Sequence, residues 1–357
     1  MRNSSGGSRP SLLRDFFIFL FKSKSPAPVR VVPPDNTIEP ARIATVRVLL
    51  VIYDPLMDPD SGVRLSQYMK WNSPDDLANE FIHDILETSG GLARYQVVQR
   101  VELNEFPIKT DGYRYDPKTY LDVFKGVQPP HQPEGADYQA ILTGLKALPR
   151  IAMREIDEVW LFAFPHAGFF ESTMGGMGAF WCNSRPMAWS SGCSRRFVVM
   201  GFSYERGVGE MLESFGHRAE SHVSRIFNCQ DFVTWAYKQS RAPATVDSTL
   251  NLFQQFLSFD QIAPGKANIG SIHYAPNSDR DYDWNNLRYA LSNCYDWSHF
   301  PNFQNDVRLV NAAEWGNGDI RAHHKWWLSH LPKVAGRTTG VANNWWQYIM
   351  DPNLVFV

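Results

Sequence analysis

The chain has 357 residues, of which 44% are apolar and 20% charged, with a formal net charge of −2. That length suits one large domain or two closely packed ones, able to bury a sizeable core without disulfides or metals as staples. The near-neutral charge, with no block of one sign, argues against a nucleic-acid or anionic-membrane surface.

Residues 1–40, rich in Ser, Pro and Gly, read as a tail outside the fold. Within them the apolar run Phe16–Phe21 is too short for a transmembrane segment and makes a poor signal-peptide core. A short amphipathic anchor and a weak export signal both remain open, so the chain is compatible with a secreted or a cytoplasmic setting. The first strand is "IATVRVLLVIYDP". "SPDDLANEFIHDILETSGG" follows as a helix, with Ser73 as N-cap, Pro74 in the first turn and Gly90 past the end. "RYQVVQRVEL" is a second strand, "DYQAILTGLKAL" a helix and "IDEVWLFAFP" a third, buried strand. The glycine-rich "GFFESTMGGMGAFWCNS" reads as irregular and matches no phosphate-binding loop. "RRFVVMGFSYERG" is a fourth strand, and a helix over "GEMLESFGHRAESH" follows it directly.

This alternation implies an α/β fold: a mixed, mainly parallel sheet over residues 41–240 with flanking helices. Residues 241–357 form a loop-rich, Trp-rich region packed on it, ending in the helix "DIRAHHKWWLSHLP" and a closing "NNWWQYIMDPN". Seven of the 12 tryptophans fall between Trp284 and Trp346. Rings at that density either fill a core or stack on sugars, and the core reading is favoured because each buries a large area.

The helix at 209–222 carries the sharpest chemistry. At about 100° per residue, Glu210, Glu213, His217 and Glu220 share one arc, opposite Met211, Leu212, Phe215, Ala219 and Val223. A solvated face normally mixes signs, whereas this arc repels itself with little Lys or Arg to relieve it. Acids plus a histidine one turn apart suit a divalent cation instead.

The stretch resembles the active helix of zincin metallopeptidases, whose His-Glu-x-Gly-His places two histidines one turn apart. Here "ESFGH" puts Glu213 at the first histidine position, Ser214 at the catalytic glutamate position, and Gly216-His217 at the end. The strand at 196–203 takes the place of the zincin edge strand before that helix. The resemblance implies a metal-dependent hydrolase of peptide or amide bonds with an altered catalytic set. Its divalent cation, zinc by analogy, is held by Glu213 and His217, with Glu220 or His273 of "GSIHYAPN" as the third ligand. Glu210 or Glu220 then accepts the proton of a metal-bound water. The glutamate in place of histidine hardens the site toward oxygen-preferring metals. The substrate expected is a peptide or glycan-linked molecule; oligomeric state is not legible.

Other constellations compete. "FNCQDFVTWAY" resembles the nucleophile helix of papain-like hydrolases, with Cys229 as the thiol; that chemistry requires a histidine base. Cys182 and Cys193 flank a loop and either pair or stay as buried thiols. Glu314, Asp319, His323, His324 and His330 gather near the last long helix, where packing and an N-cap role for Asp319 are favoured; the alternative takes His323 or His324 into the cleft as electrophile or proton donor. His166 and Glu171 follow a buried strand, where α/β proteins place functional loops. A non-catalytic carbohydrate- or protein-binding chain using its C-terminal tryptophans is the reading from a different class.

Overall fold

The Val, Leu and Ile run after residue 43 becomes β1 (Ala44–Tyr53), paired in parallel on both sides with β2 (Ala93–Leu103) and β3 (Glu158–Ala163). Leu50 stands opposite Arg100 on one side and Trp160 on the other. All six residues of β3 are buried, as expected of a strand covered on both faces, whereas β2 alternates and lies at the sheet edge. The connection between parallel strands β1 and β2 needs a crossover, supplied by α1 (Pro74–Thr88). Ser73 caps that helix by accepting from the Asp76 amide. The computed structural model of the chain describes residues 40–58, 60–238 and 250–356, so the apolar run Phe16–Phe21 and almost all of the expected tail lie outside the described residues.

Two expectations change beyond β3. The glycine-rich run read as irregular contains β4 (Ser172–Gly175), four buried residues whose length and glycine neighbours hide any period. β4 pairs antiparallel with β5 (Phe197–Ser203), which is itself parallel to β3, giving the order β2-β1-β3-β5-β4. The strand at 196–203 is therefore internal, and β4 takes the edge that the zincin comparison assigned to it. The helix read over 137–148 is also two short ones, Tyr138–Gly144 and Ala147–Ala152, separated where Lys146 adopts a left-handed φ of 51°.

α2 (Val208–Ile226) leaves β5 through a turn capped by Gly207 and is followed by α3 (Gln230–Lys238). Fourteen of its 19 residues are buried, so its polar arc is not the wet side of an amphipathic helix. On the face toward the sheet, buried Arg218 meets Glu158 of β3 at 2.7 Å and donates through Nε to the Ile349 carbonyl at 3.1 Å. Glu158 is further satisfied by the indole N–H of Trp160 at 2.8 Å. A buried ion pair stabilises little on balance, but removing one partner strands a charge at a cost of ~3–5 kcal/mol.

The C-terminal elements close around α2. α4 (Ile320–Ser329) and α5 (Trp346–Met350) both pack on it, and α4 is tied to α1 by Arg321 and Lys325 on the buried carboxylate of Asp84. Asp319 caps α4 by accepting from the Ala322 amide at 2.7 Å, as expected. Trp284, Trp297, Trp315, Trp327, Trp345 and Trp346 are buried, so these six rings fill the core and do not form an exposed platform for sugars. No helix among the described residues is long and apolar enough to cross a membrane.

One close approach decides where the segment at 270–274 lies. Gly270 turns the chain at a φ of +85°, and Ile272 then sits directly on Gly216 of α2. A Cβ added at Gly216 would come within 2.5 Å of two Ile272 carbons. In an isolated helix Gly216→Ala would gain about 1 kcal/mol of propensity, but overpacking costs ~1–3 kcal/mol. The expected outcome is a net loss of stability in denaturant unfolding, and a more stable Gly216→Ala protein would contradict this packing.

Acid stability follows from the buried histidines. Burial holds His222 at a pKa of about 3 and His324 at about 4, both below the ordinary value. Their folded pKa values are depressed, so the stability they contribute is present above about pH 6.5 and is lost as pH falls, because the unfolded chain takes up protons the folded one refuses. Each contributes a slope of up to ~1.4 kcal/mol per pH unit, so unfolding free energy should fall by roughly 2–2.5 kcal/mol per unit between pH 6 and 4.5 from these two groups. A flat profile over that range would show that the two rings are not buried in neutral form.

Candidate metal centre

Glu213 and His217 lie one turn apart on α2, and the Gly216–Ile272 contact delivers His273 to the same point. His273 Nε2 is 3.0 Å from Glu213 Oε1 and 2.9 Å from His217 Nε2, while His217 Nε2 is 3.9 Å from Glu213 Oε1. Ligand atoms on a tetrahedron of ~2.0–2.1 Å bonds lie roughly 3.3 Å apart, a spacing that these three distances bracket. Among the described residues, these three make the group of metal-ligating side chains that converges in this way.

The outer partners set the tautomers. His273 Nδ1 meets Asp281 Oδ1 at 2.9 Å, and His217 Nδ1 meets Glu220 Oε2 at 3.3 Å. An ionised carboxylate only accepts, so each Nδ1 carries the proton and donates it. Both Nε2 atoms then face inward, beside a carboxylate oxygen. Carboxylate–imidazole pairs of this kind orient metal-binding histidines and raise their basicity.

Three acceptors at 2.9–3.9 Å repel unless a positive charge sits among them, and the titration behaviour reflects it. Burial pushes the His273 pKa down, but hydrogen bonds and charge from Asp281 and Glu213 outweigh it and lift it to about 9. Burial pushes the Glu213 carboxyl up, but the hydrogen bond and charge of His273, with His217 and His324 adding to it, bring it down to about 2. The electrostatics thus favour a positive charge here, in the metal-free protein a proton on His273 Nε2 donated to Glu213.

The other arc residues separate by role. Glu220, expected as a ligand or proton acceptor, is buried behind His217. It accepts from the Tyr237 hydroxyl at 3.0 Å and the Ile272 amide at 3.0 Å as well as from His217. Its lone pairs are committed to orienting the ring and closing the 270–274 segment. Glu210, expected as the alternative proton acceptor, folds back to the helix start and accepts from the Gly207 amide at 3.1 Å, outside the ligand group. Ser214, at the position of the zincin glutamate, donates to the Glu210 carbonyl at 3.0 Å.

Tyr282 was not singled out from the sequence, and neither were Asp281 and Tyr237. The Tyr282 hydroxyl lies 2.8 Å from Glu213 Oε1 and 3.0 Å from His273 Nε2. Its backbone holds a left-handed φ of 57°, a strained conformation for a bulky residue and one that recurs at functional sites. The signal available was the acid–aromatic string "DRDYDW" closely following His273, which has no periodicity to place it.

The competing constellations do not assemble. Burial pushes the Cys229 thiol up to about 12, and the histidine that meets a cysteine sulfur among the described residues is His222, 3.7 Å from Cys182. That pair is inert, because burial raises the Cys182 thiol to about 11 and lowers His222 to about 3, the opposite of a thiolate–imidazolium couple. Cys182 and Cys193 are both free thiols. His323 stacks on Trp284, and His330 Nδ1 donates to the Trp326 carbonyl at 2.7 Å. His166 sits 3.7 Å from Glu134, and Glu171 accepts from Asn183, so neither joins the ligand group. No protein-family model, curated protein or solved structure matches this chain.

Proposed function

We propose that the protein is a metal-dependent hydrolase acting on peptide or amide bonds, with a divalent cation, zinc in the first instance, held by Glu213, His217 and His273. The observation that carries this reading is the inward convergence of two imidazole Nε2 atoms and one carboxylate oxygen, each imidazole backed by its own carboxylate. The donor set is the two-histidine, one-glutamate set of several zinc peptidases, with the order along the chain exchanged. Here the helix supplies the glutamate and one histidine, and the downstream segment supplies the second histidine. The softening nitrogen lost at Glu213 is thereby restored by His273, which returns the site to zinc-compatible chemistry.

A bound cation of this kind acidifies a coordinated water and polarises a carbonyl. The residues of the chain divide the remaining work. Asp281 and Glu220 hold the two rings in their metal-binding tautomers, and Glu213 neutralises part of the added charge. With Ser214 unable to act as a general base and Glu220 committed behind His217, the Tyr282 hydroxyl is the further polar group that touches the ligand set.

Metal analysis tests the proposal. Purified protein equilibrated with zinc should hold about one ion per chain, and Glu213→Ala/His217→Ala should hold none while keeping its far-ultraviolet circular dichroism. Hydrolysis of a peptide library should be abolished by chelation and restored by zinc. Wild-type protein without stoichiometric zinc or another divalent metal would sink the reading.

A pH dependence accompanies it. Because the His273 pKa is raised to about 9, a proton occupies Nε2 at neutral pH and must leave when metal arrives. Apparent zinc affinity should rise about tenfold per pH unit up to about pH 9 and level off above it. In lightly buffered solution at pH 7, zinc addition should release at least about one proton per ion. Affinity independent of pH between 6 and 8 would mean that His273 is not a ligand.

A further inference from the structure

We infer that Tyr282 is a fourth protein donor to the same centre, so that the cation is held by a Glu-His-His-Tyr set and not by three residues. The inference rests on the metal reading above and extends it to a residue that no resemblance assigns.

Three observations carry it. The phenol oxygen stands 2.8 Å from Glu213 Oε1 and 3.0 Å from His273 Nε2, hydrogen-bond lengths that need to open only slightly to reach the roughly 3.3 Å between ligands of one ion. An oxygen serving only as an outer hydrogen-bond partner would sit behind a ligand, as Asp281 and Glu220 do on the Nδ1 sides of the two rings. Tyr282 instead contacts the inward-facing atoms, on the side where the cation would lie.

The second observation is backbone strain. Tyr282 holds φ at +57° in an irregular stretch, a conformation costly for a bulky side chain without a compensating interaction. Its ring lies 4.2 Å from the His273 ring and 5.2 Å from that of Trp284, so the side chain is steered from both sides toward the ligands. The third is lone-pair accounting. In the metal-free protein the hydroxyl donates to Glu213 while its lone pairs face the protonated Nε2 of His273, so its oxygen already lies against the positive charge that a cation would replace. As a ligand it gives its proton to solvent, and its oxygen shares the cation with both neighbours.

The consequence concerns substrate entry. With four protein donors, water or a carbonyl oxygen enters as a fifth ligand or by displacing Tyr282. Displacement is the easier route, because the residue is nearly half exposed and belongs to no helix or strand, whereas Glu213 and His273 are buried.

Copper(II) serves as the probe, since it binds nitrogen and oxygen sites tightly and reports a phenolate ligand as a charge-transfer band in visible light. Wild-type protein loaded with one equivalent should show that band, and Tyr282→Phe should lose it while still binding one copper. The same variant should bind zinc about 10- to 100-fold more weakly, with unchanged thermal unfolding of the metal-free form. Wild-type protein that binds copper through Glu213 and His217 without the band would overturn the inference and leave the three-ligand centre standing. So would a Tyr282→Phe protein that keeps both the band and its zinc affinity. Failure to bind either metal in wild type would overturn the centre itself and the inference with it.

Discussion

Glu213 Oε1, His217 Nε2 and His273 Nε2 cannot lie within 2.9–3.9 Å of each other at neutral pH without a positive charge among them. Two imidazole lone pairs and a carboxylate facing inward repel, and burial removes the water that would screen them. Much of the surrounding architecture answers that constraint. Asp281 and Glu220 fix which ring nitrogen faces in, and Tyr237 and the Ile272 amide satisfy what remains of Glu220. In the absence of metal the proton retained on His273 supplies the charge, so the centre is primed by the same forces that would bind a cation.

Holding such a cluster together demands a helix that does not yield. α2 is fastened to the sheet by Arg218 on Glu158 and to α5 by Arg218 on the Ile349 carbonyl. Its start is held by α4, where His324 donates to the Gly209 carbonyl at 2.9 Å and Ile320 packs on Gly209. These contacts come from segments more than one hundred residues apart, so sheet and C-terminal region act on one helix. The buried Arg218–Glu158 pair is better understood as a locator than as a source of net stability, because desolvation offsets most of its attraction. Its value is that α2 has one register on the sheet, and with it one position for Glu213 and His217.

The sequence made the regular parts of this structure legible and the irregular parts only partly so. The apolar runs that became β1, β3 and β5, and the caps at Ser73 and Asp319, have local physical causes that need no tertiary information. β4 did not, because four residues among glycines carry no period. The polar arc of α2 was readable as a cluster, and His273 as a residue from a turn-rich segment able to return to it. The division of labour within the arc was not. Helical spacing puts Glu210, Glu213 and Glu220 on one side but cannot tell which meets the downstream histidine, which orients a ring and which caps the helix. Those roles depend on Ile272 resting on Gly216, a contact between positions 56 residues apart. Asp281 and Tyr282 were invisible for the same reason: their function is defined by a loop path, not by a pattern.

Where a zincin helix carries its first histidine, α2 carries Glu213. Replacing the first helix histidine by Glu213 would leave a hard, anionic pair of ligands if the third were also a carboxylate, as Glu220 would have been. The chain instead turns Glu220 to the rear of His217 and brings an imidazole from 56 residues downstream, keeping two nitrogens and one oxygen in the inner set. Ser214 has no such compensation on the helix, since its hydroxyl is tied to the Glu210 carbonyl. Among the described residues, the hydroxyl that reaches the inner atoms belongs to Tyr282, from outside α2. The three inner donors match a two-histidine, one-glutamate set in type, with the second imidazole supplied by the segment following Gly270. Their convergence depends on the placement of that one segment, which the glycine at position 216 permits.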